Sequence, residues 1–563
     1  MTQGRCTTCG IYCLFVKVRD VFCKAGLFLK TGMLSEGRFA ARSLWRPLVY
    51  TTSGRVMITC TPEQTAVIAR SPTESFKVVA GAGCGKTSTL VMFSTQWARY
   101  RGLYLAFNAS IAREARGRFG RHVEARTAHA YAFAALNIGL LERSRLTGRY
   151  TTRHVRQLEK ELGIKAPPGS AGIALQTLSA FLVSAGTKLT QAHCPEQDMA
   201  RNRDIRTFVA EAFRYIMRYE RHDFPITHDV YLKRFEMEGQ ITGYDYIMVD
   251  EAQDLNPVLF SILEKSGLPV VAAGDPHQSI FAFRGAVDAM SALHVPALPL
   301  SRSWRFGEPV AQLASRVLSC HSVPPRYPLH GNPAVKSAIH LYQGKIRPSH
   351  ETLVMARTNI RLFESLALID RPFHVLGGIQ DMVQDIRAAL SLYRQSIGAP
   401  PSQAGQGRLP FSSWAELLAA REGDTADPMA RKLVTIIEKH GSDLDTKIGV
   451  IQSLHRDDPE EVSLICSTAH KAKGREFETV MMLDDFLSPA EWAQRREKLL
   501  ARRFKLEEET TGSARARARK ARDLTRRMEE CDQEINLLYV ACTRARQTLY
   551  LPEALYTFWR ANS

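Results

Sequence analysis

The sequence predicts an α/β protein with two parallel-sheet domains, each interrupted by a mainly helical insertion. Three observations carry this reading. Short β-branched or apolar runs, FKVVA (Phe76 to Ala80), YIMV (Tyr246 to Val249) and VVAAG (Val270 to Gly274), alternate with stretches of helical spacing, the pattern of a sheet covered on both faces. The same alternation returns around ICSTAHKAKGREFETVMML (Ile465 to Leu483) and INLLYVACTRARQTLYL (Ile535 to Leu551). Between the early strands, VRQLEKELGI, ALQTLSAFLVSAGTKL and DIRTFVAEAFRYIMRYERHDF all have helical periodicity.

A chain of 563 residues is too long for one core, and two to four domains are expected. The expected layout is a first sheet domain over 57–125 and 232–300, with a helical insertion over 126–231. A second sheet domain covers 301–378 and 460–563, with a reduced insertion over 379–459 that contains the loop-like GAPPSQAGQGRLP. Residues 1–56 read as an N-terminal extension. They are basic, with Asp20 and Glu36 as their acids, and organised pattern begins only at Met57.

Lys and Arg number 75 against 57 Asp and Glu, a net charge of +18 that favours a polyanionic partner, most simply nucleic acid. No apolar run approaches the roughly 20 residues of a membrane-spanning helix, so no membrane partner is expected. Cys6, Cys9, Cys13 and Cys23 form a weak zinc signal, because the second pair is not compact. The remaining cysteines are scattered singly, as thiols of a reducing compartment are. An intracellular protein is therefore expected, in the cytoplasm or nucleoid of a bacterium or the nucleus of a eukaryote.

The chemistry begins at KVVAGAGCGKTSTL, Lys77 to Leu90, where a strand enters a glycine turn that opens a helix. That context is what a phosphate-binding loop needs. Gly81, Gly83 and Gly85 let backbone amides close on phosphate oxygens at a helix N-terminus. Ala82, Gly83, Cys84, Gly85, Lys86, Thr87 and Ser88 form the expected ATP cradle, with Lys86 facing the outer phosphates and Thr87 holding Mg²⁺. Ala80 stands where the general pattern has its first glycine.

A hydrolytic site needs a second strand that ends in carboxylates, and YIMVDEAQD supplies it. Asp250 is the expected Mg²⁺ ligand through water, and Glu251 the group that polarises the attacking water.

Further stretches follow in order: VVAAGDPHQSIFAFRGA, SRSWRFG, ICSTAHKAKGREFETVMML and INLLYVACTRARQTLYL. With AGAGCGKT and DEAQD, their order and wording resemble superfamily 1 DNA helicases of the UvrD/Rep/PcrA kind over roughly residues 57–555. AFNASIAREA and the Ser-Trp-Arg-Phe-Gly run look most like the F-box DNA helicase branch, although residues 1–56 contain no evident F-box.

The resemblance implies two RecA-like motor domains that use ATP and Mg²⁺. It assigns adenine reading to Gln64, base stacking to Trp304 and ribose contact to Glu476. Gln278 would orient the water or sense the terminal phosphate, and Arg305 and Arg544 would be arginine fingers. Strand contacts are implied at Phe107, Asn108, Thr127, His129, Phe281, Phe283, Arg284, Arg357, His470 and Lys473. Phe283 replaces the tryptophan most relatives carry, and Ser110 a common lysine.

The activity this implies is an ATP-dependent single-strand DNA translocase and 3′–5′ DNA helicase in repair or recombination. Its expected partners are single strands, single-strand/duplex junctions, and recombination or replication proteins, with the protein working as a monomer. A remodeller that strips proteins from DNA with little unwinding, or an RNA-directed motor, fits the same residues. A non-motor P-loop enzyme such as a kinase has no use for the paired Arg305 and Arg544. The charged stretch Glu491 to Glu530, with its ARARARKARDLTRR, reads either as a solvated helix or as a basic arm gripping phosphate.

Overall fold

A computed structural model describes residues 60–561 apart from 197, 281–288, 345–350, 400–408, 410, 423–426 and 509–512. Cys6, Cys9, Cys13 and Cys23, and the strand-contact candidates Phe281, Phe283 and Arg284, lie outside the described residues. The chain divides into two compact units, 1–301 and 302–563. Among the described residues no helix is long and apolar enough to cross a membrane.

The first unit holds a six-stranded sheet in the order β3-β2-β4-β5-β1-β6, parallel throughout. Its strands are β1 (Phe76–Ala80), β2 (Gly102–Ala106), β3 (Val123–Thr127), β4 (Tyr246–Val249), β5 (Val270–Gly274) and β6 (Ala297–Leu300). Every residue of β2, β4 and β5 is buried, as expected of strands covered on both faces. Parallel neighbours require crossovers, and the helices Lys86–Gln96, Ala109–Arg118 and Pro257–Ser266 supply them. Their apolar faces close on the sheet; Val258, Ile262 and Leu263, for example, share a core with Leu103, Ile247 and Ala272.

The interruption between β3 and β4 is helical and has its own core. Val155 and Leu158 of the helix Thr152–Leu162 meet Leu178 and Phe181 of Ala171–Leu182, and Ile205, Phe208 and Ile216 of Met199–Ile216. The helix His228–Glu238 belongs to both cores: Val230 faces the insertion, and Tyr231, Leu232 and Phe235 face the sheet. The sequence boundaries at 125/126 and 231/232 thus fall inside β3 and inside this shared helix.

The second unit repeats the architecture. Its sheet runs β7-β12-β11-β8-β10-β9, again parallel. The strands are β7 (Ala338–Leu341), β8 (Thr352–Ala356), β9 (His374–Val375), β10 (Leu464–Thr468), β11 (Phe477–Met482) and β12 (Ala545–Leu551). Between β9 and β10 lie the helices Gln380–Ser396, Trp414–Arg421, Pro428–His440 and Leu444–Leu454. They build no separate core: Ile386, Leu433, Ile437 and Ile448 pack in one cluster with the sheet residues Val354 and Cys466. Between β11 and β12 the charged stretch forms two long helices, Pro489–Glu508 and Ala514–Cys542, packed on one another.

Candidate active site

The turn after β1 is held open by Gly83 and Gly85 at φ 72° and 78°, the left-handed region where a Cβ is penalised. The helix begins at Lys86 with no side-chain cap, so its first amides point into the turn. Lys86 Nζ lies 3.6 Å from Glu251 Oε1. Burial works against this ammonium, but Glu251, then Asp275 and Asp250, outweigh it and hold its pKa above the ordinary lysine value. The thiol of Cys84 is pushed up to about 12 by burial and stays neutral within the turn. Ser88 Oγ accepts from Arg118 at 2.7 Å.

Asp250 follows β4 and is buried. Its Oδ2 accepts from Thr87 Oγ1 at 2.6 Å and from the Tyr104 hydroxyl at 2.7 Å, and its Oδ1 from the Glu251 N–H at 2.9 Å. Burial, then the neighbouring Glu251, raise Asp250 above the carboxylate norm; Lys86 and the two hydroxyls pull the other way. Around Lys86 the carboxylates of Asp250, Glu251 and Asp275 outnumber the one cation. A hydroxyl and a carboxylate oxygen 2.6 Å apart in a site with surplus negative charge form the hard-oxygen set that Mg²⁺ prefers, so Thr87 and Asp250 fit the ion.

Glu251 has φ 53°, rare for a residue with a side chain. Gln253, fully buried, steadies it: its Nε2 donates to Glu251 Oε2 while its Oε1 accepts from the Asp275 N–H at 3.0 Å. Asp275 Oδ2 in turn accepts from Gln278 Nε2 at 2.8 Å. A chain of hydrogen bonds, passing through the backbone N–H of Asp275, therefore joins Gln278 to Glu251. Tyr104, Gln253 and Asp275 received no role from sequence. The available signal was a tyrosine in the middle of an apolar strand run, since a buried phenol needs a partner.

Gln64 is buried, and its amide is engaged twice: Oε1 accepts from the Thr61 N–H at 3.1 Å, and Nε2 donates to Thr89 Oγ1 at 3.2 Å. An amide oxygen has a second lone pair and the nitrogen a second hydrogen, so capacity to read a base is left.

In the second unit, Arg305 donates to the Thr543 carbonyl at 2.9 Å and to Glu476 Oε1 at 3.1 Å. Arg544 is only 1% exposed, its guanidinium held by the carbonyls of Val540 (2.8 Å) and Arg475 (3.2 Å) and by the Thr543 hydroxyl. Arg305, Glu476 and Arg544 thus gather around Thr543, while Trp304, next to Arg305 in sequence, is 41% exposed.

Comparison with known proteins identifies the family. The UvrD/REP helicase N-terminal domain model fits residues 60–292, and the UvrD-like helicase C-terminal domain model fits 422–555. The chain belongs to the UvrD-like helicase family. It is similar to F-box DNA helicase 1 of Gallus gallus, with 27% identity over 528 residues, covering 85% of this chain and 47% of that protein. F-box DNA helicase protein 1 of Schizosaccharomyces pombe (strain 972 / ATCC 24843) is 26% identical over 534 residues, covering 86% of this chain and 56% of that protein. The chain spans about half the length of these curated relatives.

The strand-contact candidates of this UvrD-like helicase are less uniform. Phe107 is 46% exposed. Asn108 Oδ1 accepts from the Ile111 N–H at 2.9 Å and Thr127 Oγ1 from the Ala130 N–H at 3.1 Å, so both also cap helices. His129 Nε2 lies 3.8 Å from Asp229 Oδ1. A cavity of about 870 Å³ is lined by Phe107, His129, Asp250 and Glu251, with Gln176 and Ala180 of the insertion on its wall. It brings the strand candidates Phe107 and His129 and the carboxylates of Asp250 and Glu251 onto one surface. Arg357 is held by Glu534, with Nε to Oε2 at 2.6 Å, and its pKa is raised by that bond. His470 lies on the short helix Ala469–Ala472, and Lys473 ends it.

Proposed function

We propose that this chain is an ATP-dependent single-strand DNA translocase and 3′–5′ DNA helicase acting in DNA repair or recombination. One observation carries the proposal: Lys86 sits 3.6 Å from Glu251 while Thr87 and Asp250 converge at 2.6 Å, in a unit that also exposes Phe107. The names of both relatives, each a DNA helicase, support the same substrate.

In the first unit, the turn Ala82–Ser88 would receive the phosphates on its amides and on Lys86, with Gln64 meeting the base. Mg²⁺, held at Thr87 and Asp250, supplies charge neutralisation at the phosphates. Glu251 accepts hydrogen from the attacking water and orients it, and the link through Gln253, Asp275 and Gln278 steadies that carboxylate. The second unit, taken by itself, offers Trp304, Arg305, Glu476 and Arg544 as proposed nucleotide contacts. Phe107 and His129 would meet the strand at bases and sugars, because stacking is independent of sequence.

The test is ATP turnover titrated with single-stranded DNA, duplex DNA and RNA. Single strands of DNA are expected to stimulate most, and Lys86→Ala to abolish turnover while strand binding persists. Turnover indifferent to nucleic acid, or stimulated best by RNA, refutes the proposal.

A further inference from the structure

The hairpin between β11 and β12 sorts its cations into two sets. Arg496 pairs with Asp532, which also accepts from the backbone N–H of Ser322 at 3.0 Å. Arg503 bonds Glu507 at 3.2 Å and Thr525 Oγ1 at 2.9 Å. Seven residues apart, these two lie on one face of the helix Pro489–Glu508 and lock the hairpin shut. Arg495 and Arg502 lie roughly a quarter to a third of a turn round from that face, and Lys498 farther round on the same side. All three are exposed, and among the described residues none is ion-paired. Arg527, on the second helix, is exposed and unpaired in the same way.

These four cations line one concave surface. The cavity is about 630 Å³, and its wall includes Trp492, with the Arg495 guanidinium 4.8 Å from the centre of the ring. The far wall is Arg357, just past the end of β8. Two acids share the lining. Glu534 is already neutralised by Arg357, which leaves Glu530 against four cations. The helix Ala469–Ala472, carrying His470, packs on the same long helix, Ala514–Cys542. If the charges served only solubility they would be spread round the hairpin. Instead, the paired arginines hold it together and the unpaired cations converge beside an aromatic ring. Repeated anions spaced along a chain, with flat rings between them, match that surface.

We infer that this groove binds the phosphodiester backbone of a nucleic-acid single strand. Arg495, Lys498, Arg502 and Arg527 meet its phosphates, and Trp492 offers a face to a base. The inference rests on the strand-driven reading above and extends the path of the strand beyond Arg357.

The test is the double variant Lys498→Glu/Arg502→Glu, with Arg519→Glu/Arg522→Glu as its control. The control reverses two exposed charges on the hairpin that lie outside the cavity. Unfolding midpoints check that both variants keep the fold. Binding of an oligothymidylate of roughly 25 nucleotides, one of roughly 8 and a blunt duplex is followed by anisotropy across a salt series. Each lost single-strand phosphate contact lowers the slope of log affinity against log salt by ~0.7, so the groove variant is expected to lose ~1.4. Its affinity for the long strand should fall at least tenfold and that for the short strand less, while the control keeps the wild-type slope.

An unchanged slope, an equal loss in the control, or a loss confined to the duplex overturns the inference. Strand-stimulated turnover in the wild type beside a silent groove variant removes the groove and leaves the proposed function standing. A wild type that strands fail to stimulate removes the proposed function, whereas the groove is judged by binding alone.

Discussion

Tyr104→Phe isolates one hydrogen bond at the proposed catalytic centre. The phenol sits in the middle of β2, is 0% exposed, and donates to Asp250 Oδ2 at 2.7 Å. Burial, then the adjacent Asp250, raise its pKa, so it is a donor at every working pH. Removing one oxygen leaves the ring packed against Phe119, with centroids 4.7 Å apart, so the cavity term is small and the lost bond dominates. A hydrogen bond to a charged group contributes about 1.5–3 kcal/mol. Thr87 shares the same oxygen, which favours the lower end of that range.

Two measurements follow. In EDTA, the first unit should lose about 1.5 kcal/mol of stability in urea. In the presence of ATP, the half-saturating Mg²⁺ concentration should rise about tenfold, the usual cost of removing a partner behind a metal ligand, while kcat at saturating Mg²⁺ changes little. A purely structural tyrosine would shift the urea midpoint alone. If Tyr104→Phe leaves both the urea transition and the Mg²⁺ dependence at wild-type values, the phenol does not position Asp250 and the reasoning fails.

Two other perturbations probe the first unit. Lys233 and Glu236 are fully buried; Lys233 also donates to the Ser184 carbonyl at 2.8 Å, and Glu236 accepts from Ser261 at 2.8 Å and Lys265 at 2.6 Å. Glu236→Ala strands the Lys233 charge and should cost about 3–5 kcal/mol in urea unfolding. Burial opposes ionisation of Glu236, but bonds from Lys265, Ser261 and Lys233 together hold it down at about 2 against an ordinary 4.5. Its contribution is therefore complete above the ordinary value and lost as pH falls from there towards about 2; an acid titration in which Glu236→Gln loses stability in parallel with wild type would contradict this. Phe107→Ala alters an exposed ring, so the fold should persist while single-strand affinity drops by ~1–3 kcal/mol; wild-type anisotropy would remove Phe107 from the strand's path.

What was legible in the sequence was local. The turn Gly81–Lys86 could be read because its φ values exclude most residues, and the pair Asp250-Glu251 because it ends an apolar run. The first insertion could be read as helical because amphipathic periodicity marks a buried face. Periodicity does not name the partner of that face, so nothing distinguished the self-contained core around Phe181 and Phe208 from the fused core around Ile437 and Ile448. For Tyr104 the phenol signalled that a partner was needed, but not which one, because Asp250 is 146 positions away. The stretch Glu491 to Glu530 disclosed charge, but the division between paired Arg496 and Arg503 and unpaired Arg495, Lys498 and Arg502 depends on how two helices close on one another.

The strain at Glu251 explains how two consecutive carboxylates can serve one centre. In an extended strand, neighbouring side chains point to opposite faces, so Asp250 and Glu251 would be separated by the sheet. A left-handed residue costs roughly 1–2 kcal/mol. Here the Glu251 N–H bonds Asp250 Oδ1 at 2.9 Å, and Gln253 holds the Glu251 carboxylate from the far side. The turn aims Asp250 at Thr87 and Tyr104, and Glu251 at Lys86. In the proposed function, charge binding and water orientation would thereby be divided between adjacent residues. Gln253 and Tyr104 are the side chains that keep them apart.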